Sequence, residues 1–347
     1  MNIQAYILII GAFGPGALEN YYLHGLLQCG VRVATYDIAT NYYSIISSSV
    51  FNKVGNKVAP DYLLKPLNEK LQQYLQNKKF EVILVFKGMQ LFPETIQYLK
   101  RHTKILTNYN PDHPFHFFSS GSGNKNVLNS IKYYDIYFSY ATQITSQLKE
   151  KFGVLAYTIP FGYHTINAVT FRETPEFKGR ILFIGSYDKG RALFLNKIVH
   201  EYLDIYGDMK WQTRNWLYPS LRKAFRQKAL FENEYKVAIS EASGVINLLR
   251  EQNLKEQSHN MRTFEVPGYG GVLISQRTDE QTLFFEEDKE AIYFDTVEEL
   301  QSKIEFLMKN QDKVKQIKSA AYQRCIKSGY SYNDRSAQLI QILKAYL

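Results

Sequence analysis

The chain has 347 residues, more than one hydrophobic core comfortably organises, so two domains are expected. Its 45% hydrophobic and 22% charged residues are those of an ordinary soluble globular protein. No apolar run approaches the roughly 20 residues of a membrane helix. Cys29 and Cys325 lie far apart, which argues against a disulfide framework or a metal site and favours a cytoplasmic location.

The net charge of +9 is unevenly distributed. Residues 1–165 hold 15 Lys and Arg against 9 Asp and Glu, a net charge of +6. A basic surface attracts anionic substrates, nucleic acid or a membrane surface, so peripheral membrane association stays open. The 27 tyrosines would suit a nucleic-acid binder. An AT-rich genome would also produce a chain this rich in Lys, Asn, Ile, Tyr and Phe.

The first half begins with a strand, a glycine-rich turn, a helix and a second strand. Residues 5–10 and 31–36 predict the two strands, and the helix between them ends at Gly30. This order is the opening βαβ unit of a doubly wound α/β domain. The turn holds three glycines whose spacing is not that of a dinucleotide fingerprint, namely Gly11, Gly14 and Gly16.

A polar stretch and a buried strand follow. Residues 40–78 predict irregular chain with one helix near 67–75, and residues 80–86 predict a strand. The next strand, at 104–107, runs into a loop that Pro111 and Pro114 make rigid.

Asp112 and His113 lie in that rigid loop, just beyond the carboxyl end of a strand, where open α/β sheets bind ligands. They are therefore candidates for chemistry, although Asp in an Asx-Pro turn often serves local hydrogen bonds only. His24, on the first helix, is a weaker candidate, because a lone histidine on a helix is more often structural.

The best domain boundary comes after the strand at 156–160, where periodicity stops and Pro175 lies in a loose stretch. The βα pattern then restarts with a strand at 180–184, a helix at 192–202 and a strand at 204–207. Between the first strand and the helix lies a candidate diphosphate cradle, formed by Gly185, Ser186, Lys189 and Arg191. In the alternative interpretation the two cations are solvated turn residues.

A helix-compatible run ends near Pro267, and it carries Arg262 and Glu265 on one face. The carboxylate suits sugar hydroxyls, and the guanidinium suits phosphate oxygens. Gly270 and Gly271 would let the backbone approach a ligand closely. The alternative is a capped surface helix with solvated charges.

The order of several segments resembles that of GT-B glycosyltransferases, and more narrowly the CgeB-type, or spore-maturation-protein-like, group. These segments are Pro111-Asp112-His113-Pro114, Ile159-Pro160-Phe161-Gly162, Phe183-Ile184-Gly185-Ser186 with Arg191, Ile205-Tyr206-Gly207, Asn247-Leu248-Leu249-Arg250, and Asn260-Met261-Arg262-Thr263-Phe264-Glu265-Val266-Pro267 with Gly270-Gly271.

The resemblance implies two doubly wound, Rossmann-like domains that face a central cleft. Residues 1–165 would bind the acceptor, and residues 176–328 would bind the nucleotide sugar. Residues 329–347 would form a terminal helix that crosses back to the first domain. A bacterial-type hexosyltransferase is implied, with a nucleotide-diphosphate sugar as donor and no metal or other cofactor. The basic first domain hints at an anionic or membrane-proximal acceptor.

The resemblance also assigns roles to residues. Glu265 would hydrogen-bond the donor ribose, and Tyr206 with Gly207 would border the nucleobase. Gly185, Ser186 and Arg191 would lie near the diphosphate, with Arg262 and Lys189 as further cations. A general base for an inverting reaction would come from the first domain, where the candidates are Asp112, His113 and His24.

One departure concerns the upstream glutamate of many retaining enzymes, eight positions before Glu265. Gln257 occupies that position, and Glu256 would lie about 100° away around a helix. The stereochemistry therefore stays open, as do the sugar, the nucleobase, the acceptor and the oligomeric state. Two other functions also stay open, a basic nucleic-acid-binding protein with a degenerate cleft and a phosphorylase on the same fold.

Overall fold

The computed structural model describes residues 6–118, 121–165, 176–198 and 201–347. The chain divides into two compact units, Met1–Pro160 with Tyr332–Leu347, and Phe161–Ser331. Each unit holds a parallel sheet with helices between its strands, which confirms the predicted α/β class. Within the described ranges, no helix is both long enough and apolar enough to cross a bilayer.

The first unit contains a parallel sheet in the order β2-β1-β3-β4-β5-β6. Its strands are β1 Tyr6–Gly11, β2 Arg32–Asp37, β3 Phe80–Phe86, β4 Thr103–Asn110, β5 Ile136–Ser139 and β6 Leu155–Thr158. Its helices up to the end of β6 are α1 Leu18–Gln28, α2 Ala39–Ser48, α3 Val50–Val58, α4 Pro60–Leu75, α5 Pro93–Lys100, α6 Lys125–Ser130 and α7 Thr142–Phe152.

The second unit contains a parallel sheet in the order β11-β10-β9-β7-β8. Its strands are β7 Ile181–Ile184, β8 Leu203–Tyr206, β9 Gly244–Asn247, β10 Leu273–Gln276 and β11 Ile292–Phe294. Its helices are α8 Lys189–Asn196, α9 Lys210–Thr213, α10 Pro219–Ala224, α11 Glu232–Glu241, α12 Glu251–Lys255, α13 Arg262–Gly268, α14 Asp279–Phe284, α15 Val297–Lys309 and α16 Gln311–Lys327.

The last helix, α17 Tyr332–Lys344, belongs to the first unit and packs on α1. The two helices approach closely at Gly25, where an added Cβ would lie 2.3 Å from Ser336 Oγ and 2.9 Å from the carbonyl oxygen of Tyr332. The ring of Tyr332 also stacks on Tyr21, with 5.1 Å between the centroids. The glycine therefore sets the distance between the first and last helices of this unit.

The central strands are apolar along their whole length. Residues 7–10 of β1 and 82–85 of β3 are fully buried, as parallel strands covered by helices on both faces must be. In the second unit, β7 and β9 are buried throughout, and Trp211 is fully buried in the core beside β7. These continuous runs made the strands visible in the sequence.

The prediction of irregular chain at 40–78 is wrong, because this segment forms α2, α3 and α4. Ser49 caps α3 by accepting from the N–H of Asn52 at 3.0 Å, and Pro60 occupies the first turn of α4. α4 therefore begins seven residues before the predicted helix at 67–75. The prediction missed α3 because it followed the polar composition of the segment and not the helical spacing of Val50, Phe51, Val54 and Val58.

Candidate functional site

The strand order of the second unit reverses between β7 and β9. Open α/β sheets bind ligands at the carboxyl ends of the strands that flank such a point. Arg191 spans the two loops there, because its Nη1 lies 3.5 Å from the carbonyl oxygen of Ser186 and its Nη2 donates to that of Leu248 at 3.3 Å. Asp188 positions this arginine by capping α8 through the N–H of Arg191, at 3.1 Å. The helix therefore begins at Lys189, not at the predicted residue 192.

Three arginines concentrate positive charge at this point. Burial, together with repulsion from Arg262 and Arg250, lowers the pKa of Arg191 to about 10. Arg262 Nη2 lies 3.5 Å from where a Cβ on Gly185 would stand. Among the described residues, none of the three arginines forms an ion pair, and the buried Nε of Arg262 has no hydrogen-bond partner. An anion with several oxygens would satisfy all three cations.

Glu265 lies on α13, one turn beyond Arg262, and is half-buried. The hydroxyl of Tyr235 donates to Glu265 Oε2 at 2.8 Å, and its other oxygen accepts no hydrogen bond from the described residues. Burial raises the pKa of Glu265 above its ordinary value of 4.5, while Arg262, Tyr235 and Lys236 act in the opposite direction. The carboxylate therefore has one oxygen fixed and one available to a ligand.

Lys236 is a buried cation beside this carboxylate. Burial lowers the pKa of its ammonium, and the charge of Glu265 opposes that shift. Its Nζ lies 5.0 Å from the ring centroid of Tyr269 and has no hydrogen-bond partner among the described residues. Lys236 thus adds to the positive potential on the Glu265 side of α13.

A buried polar network holds the start of α13 against the sheet. Asn247 at the end of β9 and Asn260 exchange two amide hydrogen bonds, of 3.1 and 2.8 Å. Thr263 and Ser275 both donate to Gln281 Oε1 at 2.9 Å. Because every member is bonded, the network fixes the helix that carries Arg262 and Glu265.

Gly207 allows a close backbone approach beside this point. A Cβ there would lie 2.1 Å from the carbonyl oxygen of Gly185 and 2.8 Å from Trp211 Nε1. That carbonyl accepts from Trp211 Nε1 at 2.8 Å. The nearby Tyr206 is fully buried, and its hydroxyl donates to Glu176 at 3.0 Å. The packing around Gly207 and Tyr206 therefore explains both residues without the nucleobase that they were predicted to border.

Replacing Gly207 by alanine is expected to lower the free energy of unfolding by about 3 kcal/mol, because its new neighbour is backbone that cannot rotate away. Gly55→Ala is the control, since nothing lies within 4 Å of its Cβ inside α3, and it should stabilise by roughly 0.5–1 kcal/mol. Urea unfolding of both variants measures the difference. Equal stability of Gly207→Ala and the wild-type chain would show that this contact does not constrain the loop.

The structure gives other neighbours to three residues of the predicted donor site. Lys189 lines a groove of about 470 Å³ together with Tyr187, Arg214, Trp216 and Tyr218. Gly270 ends α13 with φ +76°, and a Cβ on Gly271 would lie 2.6 Å from Ile239 Cγ2. The two glycines therefore have a helix-capping and a packing explanation.

In the first unit the strand order reverses between β1 and β3. Lys87, directly after β3, has φ +60° and pairs with Asp112 through a contact of 2.6 Å between Nζ and Oδ2. Asn110 Oδ1 fixes the loop by accepting from the N–H of Asp112 at 2.9 Å. A lysine in the left-handed region is strained, which is a feature of functional sites. The structure thus adds Lys87 to the predicted Asp112.

The two predicted histidines of this unit differ from Asp112 in their environment. His113 is fully buried and its Nδ1 accepts from the N–H of His116 at 3.2 Å, so the proton of a neutral ring lies on Nε2. Its ring packs edge-on against Phe115, with 4.5 Å between the centroids. His24 is exposed on α1, six residues and about 9 Å beyond the first residue of that helix.

The helix assumed upstream of Glu265 is not continuous. α12 ends at Lys255, and Gln257 has φ +47° in the loop before α13. The side chain of Gln257 accepts from the N–H of Asp279 at 3.3 Å and donates to the carbonyl of Leu254 at 2.9 Å. The position therefore joins this loop to α14, and angles counted around a helix do not apply there.

Sequence patterns missed Arg250, Tyr235 and Lys87. Arg250 follows the short buried strand β9, and Lys87 precedes a glycine at the end of β3, so both had the strand-end signal that singled out Asp112. Tyr235 carries no such signal, because only the packing of α11 near α13 brings it to Glu265.

Residues 191–341 match the model of a family described as glycosyl transferase-like. No curated protein sequence matches the chain significantly. Among the described residues, no group of three or more His, Cys, Asp or Glu side chains is placed to hold a metal ion.

The chain is similar in structure to a sucrose-phosphate synthase from Thermosynechococcus elongatus, with TM-score 0.71, 12% identity, and 99% of each chain covered. It is also similar to HepE of Anabaena in complex with UDP and glucose, with TM-score 0.60 and 9% identity over 98% of this chain and 100% of that one. MnaA of S. aureus with UDP has TM-score 0.60 and 11% identity, over 99% and 96%. These likenesses confirm the GT-B fold with two Rossmann-like domains, and the family match supports a glycosyltransferase.

Proposed function

We propose that this chain transfers a sugar from a nucleotide-diphosphate sugar to an acceptor, and that the donor binds at the β7/β9 reversal. The observation that carries the proposal is the group of three arginines that form no ion pair with any described residue, beside a carboxylate that has one oxygen available. The arginine side chains suit the oxygens of a diphosphate. Glu265, about one helical turn beyond Arg262, suits two ribose hydroxyls. UDP is the first nucleotide to test, because two similar structures hold it.

The charges on the diphosphate leaving group are met in this proposal by arginines and by the N–H groups at the start of α8. Arg191 and Arg262 stabilise the negative charge that develops as the bond to the sugar breaks. Transfer of a hexose, membership of the CgeB-type group and independence from metal are part of the same proposal.

The first unit supplies the acceptor site in this proposal, with the Lys87–Asp112 pair at the carboxyl ends of β3 and β4. Asp112 is the preferred base, because its side chain is 16% exposed while His113 is fully buried. Lys87 orients the Asp112 carboxylate through the contact of 2.6 Å between Nζ and Oδ2. Exposed His24 is the weakest of the three candidates.

Asp112→Asn is expected to lower kcat by about 100- to 10,000-fold, the range for loss of a general base. Donor affinity should stay within about twofold of wild type, because Asp112 belongs to the other unit. Glu94→Gln, an exposed acidic residue of the same unit outside the Lys87–Asp112 pair, is the control and should change neither quantity. Turnover of Asp112→Asn at the wild-type rate would remove Asp112 from the mechanism.

The enzymatic test is incubation with UDP-, GDP- and ADP-sugars, with and without a mixture of acceptors, followed by mass analysis of the products. Release of nucleoside diphosphate together with a mass gain of one sugar on an acceptor supports transfer. In a parallel incubation with inorganic phosphate added, consumption of phosphate with release of sugar phosphate would indicate a phosphorylase instead. A protein that binds no nucleotide sugar but binds RNA or DNA with steep salt dependence would be the nucleic-acid-binding alternative.

A further inference from the structure

Helix α3 exposes an apolar surface that no described residue of the first unit covers. Phe51 and Val58 are 89% and 80% exposed, and the other members are all more than half exposed. At 100° per residue, the members of this surface on α3 itself fall within an arc of about 100°. We call this the α3 surface, made of Val50, Phe51, Val54 and Val58.

The opposite side of α3 is polar, although it faces the protein. Asn52 Nδ2 donates to the carbonyl oxygen of Ile45 at 3.0 Å, and Asn56 Oδ1 accepts from the hydroxyl of Tyr42. A surface helix of a globular protein ordinarily buries its apolar face and exposes its polar one. Here the order is inverted, so the apolar face does not contribute to this unit's core. Contiguous exposed apolar surfaces of this kind mark interaction sites.

The charges around the α3 surface identify the partner. Lys53 on α3 and Lys65 on α4 are exposed, and neither forms an ion pair among the described residues. Residues 40–66 carry three lysines and one aspartate, a net charge of +2. A helix with apolar side chains on one face and a lysine beside them has the composition of helices that lie in the interface of an anionic bilayer.

A second copy of the chain fits this surface less well. Stable dimers bury about 800 Å² per partner, contributed by 20–30 residues, and a helix of nine residues offers far less. A symmetric contact would also bring the lysines of two copies together without compensating charge.

We infer that the α3 surface binds the face of an anionic lipid bilayer, with Phe51 and the three valines inserted among the acyl chains and Lys53 at the headgroups. The chain would then be a peripheral membrane protein held by a short helix in the interfacial plane. This inference does not depend on the proposed transferase activity.

The test is cosedimentation of the full chain with vesicles of phosphatidylcholine containing phosphatidylglycerol, and with pure phosphatidylcholine. We expect binding to the anionic vesicles that weakens with salt, and binding at least about tenfold weaker to the neutral ones. The double variant Phe51→Ser, Val54→Ser should lose at least about tenfold in affinity for anionic vesicles. Lys53→Glu should lose at least roughly fivefold, since one lysine near such a surface is worth about 1 kcal/mol and the glutamate adds repulsion.

Matched controls lie in the second unit. Leu283→Ser changes a residue that is 74% exposed, and Lys309→Glu makes the same charge change as Lys53→Glu. Both should bind vesicles like wild type, and circular dichroism should show the α3 variants folded. Absence of binding to anionic vesicles, or equal binding by the Phe51/Val54 variant, would overturn the inference. So would light scattering that shows a dimer dissociated by Phe51→Ser without any lipid affinity.

Discussion

Arg262→Met should weaken the binding of nucleoside diphosphates by about 2–4 kcal/mol, a roughly 30- to 1000-fold rise in Kd. The reason is that Arg262 approaches the β7 loop at Gly185 with a buried Nε that has no partner among the described residues. Methionine keeps the length of the side chain without the charge. Isothermal titration with UDP, GDP and ADP measures the change.

The stability of the unliganded Arg262→Met protein should stay within about 0.5 kcal/mol of wild type. Arg262 is attracted to Glu265 but repelled by Arg191, so its removal has two opposed effects. Arg277→Met is the control, because Arg277 pairs with Glu287, Asp295 and Glu299 in the second unit. That variant should lose about 1 kcal/mol of stability and keep nucleotide affinity. If Arg262→Met lost stability but kept its nucleotide affinity, Arg262 would be a structural residue.

Glu265→Gln should weaken nucleoside diphosphate binding by about 1.5–3 kcal/mol at pH 7.5, since it removes charge-assisted hydrogen bonds to ribose. The effect should depend on pH. The carboxylate is the accepting form, and burial raises its pKa above 4.5. The tighter nucleotide binding of wild type relative to Glu265→Gln is therefore fully present above that raised pKa and is lost as the pH falls through it. The ratio of the two Kd values cancels the titration of the ligand itself.

Tyr235→Phe sharpens this prediction. The hydroxyl of Tyr235 lowers the pKa of Glu265, so its removal should shift the loss of affinity to higher pH. A Kd ratio that is independent of pH between wild type and Glu265→Gln would contradict the assignment of Glu265 to the ribose.

Much of the fold could be predicted because parallel sheets and capped helices leave local signals. The βαβ opening, in which Gly30 in the left-handed region follows α1, is predicted from apolar runs and glycine alone. α3 also has a helical period, because Val50, Phe51, Val54 and Val58 lie on one face. The prediction of irregular chain at 40–78 followed the polar composition of the segment and overlooked this spacing.

The candidate site was predictable only in part. Arg191 and Arg262 follow strand and helix signals, and the structure brings them together at the β7/β9 reversal. No local sequence pattern gives the order of the strands in a sheet. The hydrogen bond from Arg191 to the carbonyl oxygen of Leu248, in the loop after β9, could therefore be seen only in the structure. The same holds for Lys87, which reaches Asp112 because β3 and β4 are neighbours.

The most direct test of the central claim is calorimetric titration of the wild-type chain with uridine, UMP and UDP, repeated with the guanosine and adenosine series. For at least one base, we expect the diphosphate to bind at least about tenfold more tightly than the monophosphate, and the nucleoside to bind most weakly. This difference should shrink in Arg262→Met. Equal affinity for nucleoside and diphosphate, or no binding of any diphosphate, would contradict a donor site at the β7/β9 reversal.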